Sequence, residues 1–238
     1  MFFFFHLLVG VATGLFLSEV LRSRRWFLPV AVGSILPDLI DKPLGHILFA
    51  ATIGYGRIIG HSLIFFAILL IFGFLLWKYR GSILLFGLSI GVLLHQALDS
   101  MWEIPITWYY PLYGPFPAKM LPDFFIHSFW NSLAAPQEWI AACILIPGAL
   151  LMLADLTGRK ESYFRTLSRI KLHCMSFVGI VMFGLGLLLV FNITRIESSH
   201  LLPLVNGGDP LIVSLAFIWC GLVFVCIPIR HLSQAEYN

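Results

Sequence analysis

Long apolar runs, each about one bilayer thick and set apart by short polar punctuation, make up most of this chain. Seven of them read as membrane-spanning segments: about 4–21, 26–41, 60–77, 82–99, 138–156, 174–193 and 210–229. Runs of roughly 16–20 residues, rising 1.5 Å per helical residue, suffice to cross a hydrocarbon core of about 30 Å. The second run contains Pro29 and Pro37, so it is expected to be tilted or incompletely helical. Residues 44–55 are apolar but too short to span, which predicts a re-entrant or interfacial piece. The stretch 102–137 is rich in proline and aromatic residues, among them Trp102, Pro105, Trp108, Tyr109, Tyr110 and Pro111. Such rings favour the membrane–water boundary, so this loop is expected to lie over one face of the bundle. The pattern predicts an all-α polytopic membrane protein, with a site-bearing domain over 1–137 and a three-helix scaffold over 138–238.

Composition supports this frame. The chain has 238 residues, 59% hydrophobic and only 11% charged, and a mean hydropathy of +0.92 lies far above that of a soluble domain. Met1 to Phe5 lack a basic flank and no small-residue cleavage site follows, so the first helix is expected to be retained. Cys143, Cys174, Cys220 and Cys226 fall in or beside apolar runs without metal-binding spacing, and are expected to act as small packing residues. No basic stripe carries interleaved aromatics, which argues against a nucleic-acid partner.

Charge asymmetry predicts an orientation. With Arg22, Arg24 and Arg25 in the cytoplasm and seven alternating helices, eleven of the fifteen Lys and Arg residues share that side. They include Lys78, Arg80, the Arg159–Lys171 cluster and Arg230; Lys42, Arg57, Lys119 and Arg195 fall opposite. The amino terminus is therefore expected outside and the carboxyl terminus inside, with Arg159–Lys171 as an anchor near anionic head groups.

The chemistry lies in the few polar residues that interrupt the apolar runs. An ionised side chain in a spanning segment costs roughly 2.5–3.5 kcal/mol or more, so it is normally paired, hydrated or metal-bound. His6 opens the first segment, Asp38 and Asp41 end the second, His61 opens the third, and His95 and Asp99 end the fourth. Under the predicted topology all six reach one level near the outer surface, although only Lys and Arg set the orientation. His95 and Asp99, four residues apart, share one helix face. His6, Asp38, His61, His95 and Asp99 are thus candidate metal ligands. Mixed nitrogen and oxygen donors suit zinc first, with manganese or iron as alternatives. Asp41, if left outside the ligand shell, could act as general base. Arg57 could clamp a phosphate, and Ser62 could donate to substrate or orient His61. His46, Glu103, Asp123 and His127 read as structural or interfacial, and His173, His200 and His231 as unrelated to the site.

Gly33-Ser34-Ile35-Leu36-Pro37-Asp38-Leu39-Ile40-Asp41, then Gly60-His61-Ser62-Leu63, then His95 through Asp99 resemble the membrane-bound metal-dependent hydrolases called YdjM-like or LexA-binding inner-membrane proteins. The resemblance covers about residues 6–116. The early motifs also look like those of the zinc-dependent phospholipase C family. Gly56 and Gly60 depart from the usual His-Arg-Gly-x-Thr-His-Ser stretch, and Asp38 and Asp41 are three apart where many relatives have two. The resemblance implies a divalent metal held by His6, Asp38, His61, His95 and Asp99. It also implies hydrolysis of a phosphodiester or lipid-like small-molecule substrate, in contact with membrane lipid. Two further functions remain open at this point. A metal transporter or sensor would need polar residues continuing down the bundle, whereas a metal-stapled structural bundle would have a closed ligand shell.

Overall fold

The computed structural model describes residues 3–116, 130–131, 133–156, 161–193 and 209–236, with side chains outside 151–169 and 231–236. The described residues form helices and loops with no strand. In chain order the α-helices are α1 (Phe3–Val20), α2 (Phe27–Gly33), α3 (Leu36–Pro43), α4 (Leu63–Arg80), α5 (Leu84–Leu98), α6 (Pro105–Trp108), α7 (Pro136–Leu156), α8 (Glu161–Phe191) and α9 (Pro210–Glu236). Lys119, Asp123, His127, Arg159, Lys160, Arg195 and His200 lie outside the described residues, as do the side chains of Arg165, Arg169 and His231.

Among the described residues, four stretches are long and apolar enough to cross a membrane: Phe3–Val20, Leu63–Arg80, Ile170–Phe191 and Pro210–Arg230. Leu84–Leu98 is a shorter apolar helix. The expected second span over 26–41 is not one rod, for it breaks into α2 and α3 at Ser34 and Ile35. Pro37 sits in the first turn of α3, where its missing N–H costs nothing, and its ring prevents α2 from continuing through it. The expected 174–193 span lies within a longer rod, α8, whose helix begins at Glu161. Within 44–55, a π-helical turn over Leu44–Leu48 follows α3 directly; Ile47 and Leu48 are exposed.

Local sequence explains the helix ends. Ser62 caps α4, accepting the Phe65 N–H at 3.3 Å, and this supplies one of the partners that first-turn donors lack. Gly81, at φ 67°, closes the other end: its N–H reaches Trp77 O at 2.9 Å and that of Ser82 reaches Leu76 O at 3.3 Å. Lys78 and Arg80 occupy that last turn, where cations complement the helix dipole.

Two packing seams place the site. Phe5, Leu8, Val9 and Ala12 of α1 join Ala141 of α7, Met182 and Leu189 of α8, and Phe217, Cys220, Val223 and Phe224 of α9 in one buried cluster. Cys220 packs there as expected, while Cys143, Cys174 and Cys226 are exposed; all four are free thiols. On the other side, α2 crosses α5 where Gly33 meets Gly91. A methyl group on Gly33 would collide with the Leu88 carbonyl, and one on Gly91 with the Val30 carbonyl. Small residues let the two backbones touch. This close crossing carries the last turn of α5, with His95, up against the end of α2.

Gly91→Ala is therefore expected to destabilise the fold by about 1–3 kcal/mol, the usual effect of overpacking. Unfolding in mixed detergent micelles measures it; an unchanged midpoint would mean that the crossing can relax.

Candidate metal centre

The site residues arrive on four separate pieces of backbone. His6 lies in the first turns of α1, Asp38 and Asp41 on α3, His61 just ahead of α4, His95 in the last turn of α5, and Asp99 at its C-cap. All six are buried or nearly so. His61, His95 and Asp41 are 0% exposed, His6 is 1% and Asp38 is 5%, while the Asp99 side chain is 7% exposed.

Asp41 fixes the loop that carries His61. One carboxylate oxygen accepts the N–H groups of Ile58 at 2.7 Å and His61 at 3.1 Å, and the other accepts that of Gly60 at 2.8 Å. The first oxygen also lies 2.7 Å from His61 Nδ1. A carboxylate with so many donors holds the loop together. Because Asp41 accepts there, His61 Nδ1 carries the proton and Nε2 faces inward. His95 is set in the same way. Its Nδ1 lies 2.8 Å from the carbonyl of Ser34, which can only accept, so Nδ1 is again the donor. The two inward Nε2 atoms sit 3.1 Å apart. Two lone pairs at that distance repel, and either a proton shared between the rings or a metal cation in the gap would relieve the repulsion.

Carboxylate oxygens surround that gap. Asp38 Oδ1 is 3.7 Å from His61 Nε2 and 3.9 Å from His95 Nε2. Asp99 Oδ2 is 3.6 Å from His61 Nε2, and Asp99 Oδ1 is 3.3 Å from His6 Nε2. The His6 and His95 rings lie 4.4 Å apart, centroid to centroid. Two triads result, His6–His95–Asp99 and Asp38–His61–His95, each with donor atoms within 4.8 Å of one another and sharing His95. These buried groups could hold a metal ion.

Both outer carboxylates also carry a cation. Asp99 Oδ2 receives Arg57 through Nε at 2.9 Å and a terminal nitrogen at 2.8 Å. Asp38 Oδ2 is hydrogen-bonded to Lys42 one helical turn away. Burial works against the Arg57 charge, but the facing Asp99 carboxylate outweighs it and raises the pKa, so the guanidinium stays charged. Ser62, expected to serve substrate or to orient His61, is instead engaged in its own helix cap. Its hydroxyl donates to Ile59 O at 2.6 Å and accepts from Phe65 N. Asp41, expected as a general base, has its oxygens committed to loop donors and to His61, away from the gap. His46 fills the space over Gly56, where a Cβ would lie 2.5 Å from its Nε2. The imidazole of one residue thus occupies the room that a side chain at the other would need.

Two polar residues escaped the sequence analysis. Gln96, 1% exposed, donates to Ser62 O at 3.0 Å and accepts from Trp108 Nε1 at 3.1 Å. It thereby ties the described start of the aromatic stretch to the His61 loop. Glu138, the first acidic residue of α7, accepts the Phe4 and Phe5 N–H groups, both at 2.9 Å, and so caps α1 beside His6. Gln96 adjoins a proposed ligand, which was a usable hint. Glu138 is more than 130 residues from its partners and gave none.

The sequence profile of the YdjM inner membrane proteins matches residues 1–162, a span that holds every residue of this cluster. The chain belongs to the YdjM inner membrane protein family. No curated protein and no solved structure matches it. Family membership and the four long apolar helices place the chain in a membrane.

Replacing Asp41 with Ala would strand three buried N–H groups at about 1–3 kcal/mol each. A loss of about 3 kcal/mol or more is expected in a detergent unfolding titration, and a loss under about 1 kcal/mol would show that water replaces the carboxylate.

Proposed function

We propose that this family member is an integral membrane metal-dependent hydrolase. Its ion, zinc in the first instance with manganese or iron as alternatives, is held by His61, His95 and Asp38 with Asp99 and His6. The spacing of the donors carries this reading. The carboxylate-to-imidazole separations of 3.3–3.9 Å are mostly too long for hydrogen bonds. They lie near the edge of a tetrahedron with bonds of about 2.0–2.1 Å, roughly 3.3 Å. Five nitrogen and oxygen donors also exceed what one structural zinc uses, which favours an open catalytic site or two ions over a closed staple.

A bound dication supplies an acidified water and a polarised substrate oxygen. The chain's own residues set the stage. Asp41 and the Ser34 carbonyl hold His61 and His95 in the tautomers that leave Nε2 bare, as partners of metal-ligating histidines commonly do. Arg57 balances Asp99 and borders the site, its side chain 31% exposed, and Gln96 fixes the backbone on which His61 rides. The substrate on this reading is a phosphodiester or another lipid-like small molecule that reaches the site from the bilayer.

Seven crossings, counting the broken α2–α3 pair and the short α5, put the amino terminus outside, the carboxyl terminus in the cytoplasm, and the cluster near the outer face. Below the cluster, α1, α4 and α5 carry no ionisable side chain until Glu19, Lys78 and Arg80 near their far ends, and the Gly33–Gly91 crossing is tightly packed. That pattern favours a one-sided site over a transport path.

Elemental analysis of purified protein tests the proposal. Wild type is expected to carry at least one transition-metal ion per chain, His95→Ala and Asp99→Ala far less, and Asp38→Asn to lose phosphodiester hydrolysis while still folded. Metal-free wild type protein after purification without chelators would overturn the reading.

A further inference from the structure

We infer that Lys42 and Arg57 together form an anion clamp over the cluster, and that the group they receive is a phosphate diester carrying a single negative charge. This rests on the metal reading above and narrows its substrate.

The two carboxylates nearest the facing imidazoles each hold a cation on Oδ2. Asp38 turns Oδ1 toward His61 and His95 and gives Oδ2 to Lys42. Asp99 turns Oδ1 toward His6, while its Oδ2 is held by Arg57 and also lies 3.6 Å from His61 Nε2. On each carboxylate Oδ1 carries no cation and can ligate, while Oδ2 holds a cation at the rim. The cations are the more open members of each pair: the Lys42 side chain is 19% exposed and that of Arg57 31%, against 6% and 7% for their carboxylates. Arg57 also feels the charge of Asp38, the carboxylate that Lys42 holds.

Charge counting then selects the ligand. Asp38, Asp41 and Asp99 bring three negative charges, and Lys42 and Arg57 two positive ones, which leaves the linked groups with one negative charge in excess. One dication turns this into a single positive excess. Uncompensated charge in an apolar interior is costly, and a monoanion removes it. A phosphodiester is such an anion at neutral pH, and its two free oxygens suit a guanidinium fork on one side and an ammonium on the other. A neutral ester or amide would leave the excess in place. Lys42 is one helical turn from Asp38, and an ordinary helix-surface ion pair is the competing explanation; the experiment separates the two.

Zinc-loaded protein in detergent is titrated with dimethyl phosphate, with its neutral analogue trimethyl phosphate, and with short-chain phosphatidylglycerol. Binding is followed by calorimetry, with the metal content of each sample recorded. Dimethyl phosphate is expected to bind and trimethyl phosphate at least about tenfold more weakly, the loss of one charge-assisted contact. Lys42→Met should weaken dimethyl phosphate by about tenfold at unchanged metal content, and Lys42→Arg should restore it. Tighter binding of phosphatidylglycerol than of dimethyl phosphate identifies a lipid head group as the source, and equal binding identifies a soluble diester. Equal affinity for the charged and neutral probes, or full affinity in metal-replete Lys42→Met, overturns the clamp and leaves the metal site standing. Should Lys42→Met not fold, the comparison of charged and neutral probes on wild type decides alone. Wild type that retains no zinc overturns the metal reading, and the clamp with it.

Discussion

A carboxylate with no exposure to solvent holds this site together. Asp41 sits at the end of a two-turn helix and gathers three backbone N–H groups and one imidazole from the loop before α4. That loop has no regular structure of its own. Without Asp41 its buried amides would lack partners in a medium that offers little water to replace them. Loop conformation, the tautomer of His61 and the inward aim of its Nε2 all follow from one side chain.

The second constraint is mechanical. Gly33 and Gly91 let α2 and α5 approach until backbones touch, and this brings the Ser34 carbonyl within reach of His95 Nδ1. Broken helix α2–α3 is thus an asset. The interruption frees the Ser34 carbonyl from the helical ladder, and the turn re-aims α3 so that Asp38 and Asp41 meet different partners. On the far side, Glu138 caps α1 beside His6 and Phe5 packs against Phe217. The carboxyl-terminal helices therefore contribute to where the first histidine stands, beyond acting as a passive scaffold.

Much of this was legible in the residues. His95 and Asp99 share a face by simple helical spacing, and the meeting of His6, Asp38, His61, His95 and Asp99 at one level follows from where they fall along their apolar runs. The pause at Pro37 was legible because proline cannot sit inside a continuing helix. Other features were not. Asp38 and Asp41 look alike at three-residue spacing, yet one faces the imidazole pair and the other the loop, because the path of residues 56–61 decides which oxygen finds which donor. Ser62 reads as a donor beside a ligand until the start of α4 claims its hydroxyl.

Helix content, membrane residence and the inventory of polar groups follow from the order of residues alone, since periodicity and hydropathy are local properties of the chain. The division of labour among those groups is a tertiary matter. The inward-facing imidazole nitrogens, the pairing of Asp99 with Arg57, and the capping of α1 from more than 130 residues away all depend on contacts between segments. Hydrogen bonds are short and directional, so a shift of an ångström in one helix reassigns them, and only the packed bundle sets positions that finely.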